Sequence, residues 1–182
     1  MTELIPARST RSWPNGTRSQ LCRDLAGVAG CSLALFAGIV VAALLATPNP
    51  ALHAAPLPAV KPWTQYWTHN ATIACVWALG MLSFGTVTVL FALIFVATTG
   101  TTIGEFGLAS AWPVLTHAPF ELVALGVALW IALAPARWVY IHAKYRPMIR
   151  TILKLELPRL ISWMIFAILL LVPASLLEAM QA

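Results

Sequence analysis

The stretch of sequence that decides the fold is residues 71–98, ATIACVWALGMLSFGTVTVLFALIFVAT, which contains no charged residue. As one long, tilted helix it would cross a membrane once, because about 20 apolar residues span a bilayer. If it breaks at residues 83–86, it contributes to two helices, 63–82 and 86–108, each long enough to cross. Gly85 lies in this segment and suits either a turn or close helix packing. The choice between one helix and two fixes the number of membrane spans.

The composition excludes a water-soluble globule. Of the 182 residues, 60% are hydrophobic and 9% are charged, and the mean hydropathy is +0.83. A soluble domain carries roughly 25% charged residues. Between residues 63 and 136 there is no Lys or Arg, and Glu105 and Glu121 are the only acids. We therefore expect an all-α, polytopic helical protein of the cell membrane, with the lipid bilayer as its main surroundings.

Charge decides how often the chain crosses the membrane. The basic residues lie before the first apolar run and again at residues 137–159, and Lys61 is the only one between these groups. The positive-inside rule places both segments in the cytoplasm, which accounts for the net charge without a nucleic acid partner. The proline-rich loop 47–62 is then external, so an odd number of spans must separate it from 137–159. Only the two-helix interpretation of 71–98 gives an odd number.

The sequence thus predicts about five spans, with the amino terminus in the cytoplasm and the carboxyl terminus outside. Residues 1–24 are predicted to be a flexible basic tail and 25–182 a single helical membrane domain. Residues 138–158 alternate basic and apolar side chains and are expected to lie along the inner surface. The predicted spans are 25–46, 63–82, 86–108, 113–134 and 160–177.

A few polar side chains fall inside these spans. An ionisable group at the centre of a membrane helix costs about 2.5–3.5 kcal/mol, so each needs a reason. His117 and Glu121 are four residues apart and share one helix face. Asn70, Glu105 and Glu178 are expected at the same, outer side of the membrane, and no polar group is expected in the inner half. Glu121 is the deepest acid.

Three interpretations of this polar cluster are open. The side chains can satisfy one another and fix helix registry, they can bind a partner helix, lipid or peptide, or they can relay protons or catalyse a reaction. A metal ion is not expected, because no second His or Cys lies at ligand spacing from His117. Gly100 and Gly104 have the small-xxx-small spacing of closely packed membrane helices, and packing within the chain is favoured over dimerisation.

The sequence contains no recognisable catalytic motif. A phosphate-binding loop, a nucleophile elbow and a dinucleotide fingerprint are all missing, and no nucleophile–base set is evident. Cys22, Cys31 and Cys75 show no redox or zinc spacing and are expected to pack as small apolar side chains. We therefore expect a protein that is not an enzyme and has no cofactor.

From Asn70 onward the order of polar and glycine residues resembles the stage II sporulation protein M family of membrane proteins. The matching features are Asn70 in the second span, glycines after the third, the segment 116–122 (THAPFEL) and Glu178 at the end of the last span. The resemblance covers about residues 63–182. The family has Gly after the His, where this chain has Ala118, and often a second Asn where this chain has Thr99.

The resemblance implies two functions. The first is a non-enzymatic membrane scaffold that recruits or localises envelope partners, as the sporulation member does in a peptidoglycan-remodelling complex. The second is a permease-like subunit that works with a separate cytoplasmic ATPase in export or immunity, docked on the basic segment 138–159. Transport needs polar access from both sides of the membrane, and the sequence places intramembrane polarity on one. It therefore favours the scaffold.

Overall fold

A computed structural model of the protein describes residues 17–47, 61–145 and 148–181. At residues 17, 108–115 and 181 it describes the helical backbone but not the side chains. Every element in this part of the chain is a helix, which confirms the predicted all-α class. The proline-rich loop lies almost wholly outside the described residues. The helices are α1 (Thr17–Leu45), α2 (Trp63–Leu79), a 3-10 turn (Gly80–Ser83), α3 (Thr86–Phe106), α4 (Leu108–Ala132), α5 (Ala134–Tyr145) and α6 (Ile149–Gln181).

Several of these helices are long and apolar enough to cross a membrane. By length and composition α1, α3 and α6 qualify among the described residues, and α4 with α5 forms a fourth candidate bent by 43°. Helix α2, with 17 residues, is shorter than these. The structure therefore supports a membrane protein with three or four candidate spans, and the number of five stays a prediction.

The uncharged stretch 71–98 is two helices, so the interpretation as one long helix is wrong. Helix α2 tightens into the 3-10 turn, and Phe84 (φ 55°) and Gly85 (φ 83°) then adopt left-handed conformations. A side chain at position 85 would lie 3.1 Å from the carbonyl oxygen of Ala132, so only glycine fits both the backbone and the space. The hydroxyl of Thr88 donates to the carbonyl of Trp77 across the break, at 2.6 Å.

Two predicted boundaries need correction. Helix α1 begins at Thr17, so the predicted flexible tail, residues 1–24, is helical in its last part. Helix α6 begins at Ile149 and continues through Pro158 and Pro173, so the second part of the expected surface segment merges with the last span, while its first part belongs to α5. In both cases polar residues before an apolar run belong to the same helix as the run, because side-chain polarity does not end a helix.

Helix α4 lies at the centre of the bundle and packs against α1, α2, α3 and α6. Small side chains line its buried faces, including Ala124, Ala128 and Ala132. Large apolar side chains such as Leu90 and Leu169 are exposed on the outer helices, as expected for a lipid-facing surface. Small residues on α4 therefore let the neighbouring helices approach it closely.

Candidate functional site

The polar side chains of the bundle gather at its two ends. On α6, Glu178 is near the carboxyl end and Arg159 near the amino end, which at a rise of 1.5 Å per residue places them roughly 28 Å apart along the helix. This separation is close to the thickness of a bilayer's hydrocarbon core. We call the end near Glu178 the carboxylate end and the end near Arg159 the basic end.

At the carboxylate end, α2, α4 and α6 bring four predicted site residues together. Asn70 on α2 donates a hydrogen bond from Nδ2 to Oε1 of Glu121 on α4. One ligand atom each of His117, Glu121 and Glu178 lies within 4.8 Å of the other two. His117 is 8% exposed, and the other three are half-buried. We refer to these four residues as the carboxylate cluster.

The remaining predicted site residues lie elsewhere. Glu105 is half-buried near the end of α3 and, among the described residues, is not one of the acids that converge with His117. Gly100 and Gly104 face α1, where an added Cβ at Gly100 would lie 2.6 Å from the carbonyl oxygen of Ile39. At Gly104 it would meet the carbonyl oxygen of Ala43. The two glycines thus sit where α1 and α3 come closest within one chain.

The carboxylate cluster has the donor set of a cation site. A histidine nitrogen and two carboxylate oxygens are ligands that divalent ions accept, and zinc binds such atoms at about 2.0–2.2 Å. Two neighbouring carboxylates repel each other unless a positive charge lies between them. Lys61 of the same chain already attracts Glu178. A metal ion, or a Lys or Arg side chain from another protein, would supply further positive charge to the pair. The expectation of no metal rested on residues near His117 in sequence and overlooked Glu178, which comes from another helix.

The basic end holds a second polar cluster that sequence reasoning missed. Asp24 on α1 is 1% exposed. Its Oδ2 lies 2.9 Å from Nε of Arg159 on α6. The indole N–H groups of Trp163 and Trp130 donate to its two carboxylate oxygens, at 3.0 and 3.3 Å. Arg159 also pairs with Glu156 one turn earlier on α6. We refer to these five residues as the Asp24 cluster.

The Asp24 cluster shows that buried polar side chains are not confined to the carboxylate end, where all of them were expected. The sequence held a signal for it, because buried residues of α1 follow one stripe: Asp24, Val28, Leu35 and Ile39. On α6 the buried stripe is Ile152, Glu156, Leu160, Ala167 and Leu171. Each acid lies one helical turn from a buried apolar residue on its own stripe, so extending the apolar period by one turn would have placed both inside.

Between the two clusters the bundle is closed by apolar side chains. This layer comes from α2, α4 and α6 and belongs to one continuous buried core. The indole N–H of Trp67 donates to the carbonyl of Ile168 at 3.2 Å and links α2 to α6. The layer consists of Ala74, Trp77, Leu125, Ala128, Ala167 and Leu171.

The apolar helices and the polar clusters at both ends of the bundle define a helical membrane protein. The model of the stage II sporulation protein M family matches residues 31–181, and the chain belongs to that family. The match confirms the resemblance to this family and extends it from residues 63–182 back into α1. Comparison with curated proteins and with solved structures gives no match.

Proposed function

We propose that the protein is a non-enzymatic membrane scaffold that recruits a partner of the cell envelope through its carboxylate cluster. The observation that carries this proposal is the apolar layer between the two polar clusters. A permease needs a polar route through the membrane, and the described residues place buried apolar side chains across the middle of the bundle. A bundle whose two polar clusters are separated by buried apolar side chains suits recruitment better than transport.

The chemistry of the carboxylate cluster indicates which partner it fits. Glu121 and Glu178 are half-buried, so another protein can reach them without unfolding the bundle. Both carry acceptor oxygens, and Asn70 occupies one of those of Glu121. A partner segment that presents a Lys or Arg side chain would neutralise the pair, and hydrogen bonds to charged groups contribute about 1.5–3 kcal/mol.

The proposal includes an orientation. Most exposed basic residues of the described part lie at the opposite end from the carboxylate cluster, among them those at the beginning of α6 and in α5, whereas Lys61 lies at the end of the cluster. The positive-inside rule places that end in the cytoplasm and the carboxylate cluster on the outer side. The directions of the helices agree with an amino terminus inside, a carboxyl terminus outside and five crossings, with α2 counted as a span.

Photo-crosslinking in intact cells tests the proposal. A photoreactive residue replaces His69, which is exposed on α2 beside Asn70, and in a control chain replaces Leu90, which faces outward on α3. We expect position 69 to capture a wall-modifying or other envelope protein and position 90 to capture none. Glu178→Gln should lower the yield at least fivefold, whereas Glu105→Gln, at the same end but outside the cluster, should not. An unchanged yield with Glu178→Gln would refute recruitment by the carboxylate cluster.

The basic surface favours a second candidate function, a permease-like subunit that docks a cytoplasmic ATPase. Lys144, Arg150 and Lys154 are exposed around the junction of α5 and α6 and would contact such a protein. A photoreactive residue at position 154 distinguishes the two functions. Capture of an ATPase there, with no envelope protein at position 69, would replace the scaffold with the permease.

A further inference from the structure

A cavity of about 580 Å³ opens at the basic end, between α1, α4, α5 and α6. Binding pockets for small molecules have volumes of about 300–1,000 Å³. The walls combine apolar side chains, among them Leu133 and Ile141, with four cations and two carboxylates. The charged lining residues are Arg23, Asp24, Arg137, Lys144, Glu156 and Arg159.

The four cations of the cavity outnumber its two acids. Arg159 pairs with both Asp24 and Glu156, so one cation serves two carboxylates. Among the described residues Arg137 pairs with neither. Its Nη1 donates to the carbonyl of Trp130, and its guanidinium carbon lies 3.6 Å from the centre of the Trp130 ring. The charge of Arg137 is thus held in place against an indole; Asp24 and Glu156 attract it across the cavity, but neither forms an ion pair with it among the described residues.

Arg137 also has a hydrogen-bond donor without an acceptor among the described residues. Its Nη2 is buried and has no acceptor among the described residues. A buried donor without a partner costs about 1–3 kcal/mol, more for a charged group, so an acceptor at this position would stabilise the protein. Guanidinium groups bind phosphate oxygens with two parallel hydrogen bonds, which makes a phosphate group the matching acceptor.

Lys144 adds a second cation at the edge of the same cavity. It is exposed, its Nζ donates to the hydroxyl of Tyr140 at 3.2 Å, and its ammonium lies 5.5 Å from the centre of that ring. Tyrosine side chains prefer the level of lipid headgroups. The cavity therefore has a cationic and aromatic rim and an apolar wall. These surfaces are complementary to the anionic headgroup and the acyl chains of a phospholipid.

We infer that this cavity binds a phosphate group through Arg137 and Lys144, and that the group is the headgroup of an anionic phospholipid. Basic pockets between membrane helices at the cytoplasmic side are suited to such headgroups. A free phosphate ester has the same recognition chemistry but gains nothing from the apolar wall. The site is at the opposite end from the carboxylate cluster, so it does not depend on partner recruitment.

The experiment uses the full chain purified in neutral detergent. Phosphatidylglycerol, phosphatidylcholine or inorganic phosphate is titrated in separate arms, and binding is followed by the shift in thermal unfolding temperature. We expect phosphatidylglycerol to produce a given rise in this temperature at a concentration at least tenfold lower than the concentration of phosphatidylcholine that is needed. A response to inorganic phosphate of equal size would keep the phosphate site but assign it to a soluble anion. No response to either phosphatidylglycerol or inorganic phosphate would overturn the inference.

Variants separate binding from folding. Arg137→Gln should weaken phosphatidylglycerol binding at least tenfold, and Lys144→Gln, a change at an exposed residue, about threefold. Arg150→Gln removes an exposed basic residue that does not line the cavity and should leave binding unchanged. If Arg137→Gln fails to fold, Lys144→Gln alone decides. Equal weakening by Lys144→Gln and Arg150→Gln would show general surface attraction and overturn the site.

Discussion

The Asp24 cluster makes an asymmetric prediction, because Arg159 is shared and Asp24 is not. Replacing Arg159 by Met leaves two buried carboxylates, Asp24 and Glu156, without their common cation. Replacing Asp24 by Asn leaves the Arg159–Glu156 pair intact and keeps one side-chain oxygen to accept an indole N–H. The two partners of one ion pair should therefore differ in what their loss costs.

The magnitude follows from the contacts. Removing one partner of a buried ion pair costs about 3–5 kcal/mol, and Arg159 has two such partners. Asp24→Asn loses one charged contact and leaves one indole donor without an acceptor, which costs about 1–3 kcal/mol. The expected difference of about 2 kcal/mol is roughly a 30-fold difference in the unfolding equilibrium constant.

The assay is denaturant unfolding of the purified chain in detergent micelles, followed by the loss of the helical circular dichroism signal at about 222 nm. Lys154→Met, an exposed basic residue of the same helix, is the control and should change stability by less than about 0.5 kcal/mol. The double variant, which combines Asp24→Asn with Arg159→Met, should cost no more than Arg159→Met alone, because only Glu156 is then left as an unpaired carboxylate. The reasoning fails if Asp24→Asn destabilises as much as Arg159→Met, or if neither differs from the control.

Three further predictions concern packing, the carboxylate cluster and topology. Gly100→Ala should lower the thermal unfolding temperature, because its Cβ would meet the backbone of α1, whereas Gly30→Ala, with nothing within 4 Å, should stabilise by up to about 1 kcal/mol. Asn70→Leu should cost about 1–3 kcal/mol by removing the donor to Glu121, and Glu121→Gln should cost less while lowering the crosslinking yield; equal losses would contradict this. In a cysteine-free chain, Lys154→Cys should react with an impermeant maleimide only after permeabilisation, and reaction in intact cells would reverse the proposed orientation.

The helices could be predicted from the sequence because their apolar runs are long and their breaks carry glycine. The separation of α2 from α3 followed from the distribution of charge and coincides with the left-handed pair Phe84 and Gly85. The ends of the helices were harder to predict from the sequence. Polar residues at the start of α1 and α6 resembled a solvated tail and a surface segment, whereas Asp24 and Glu156 are buried in the bundle and these turns belong to it.

In the candidate site, too, some contacts could be predicted from the sequence and others could not. His117 and Glu121 could be paired from their spacing on one helix, since that contact is local. The addition of Glu178 and Asn70 depends on how α2 and α6 pack against α4, which spacing alone does not contain. The Asp24 cluster was missed for a similar reason, because Trp163 and Asp24 are distant in sequence and meet only when the first and last helices pack together.

That meeting also has a consequence for biosynthesis. Asp24 leaves the ribosome early, and its cation on α6 is made only after four intervening helices. Until then a carboxylate remains without its counterion where α1 enters the bilayer. A chain that stops before Arg159 keeps that charge uncovered, so the last contact to form is also what distinguishes a finished molecule from a truncated one.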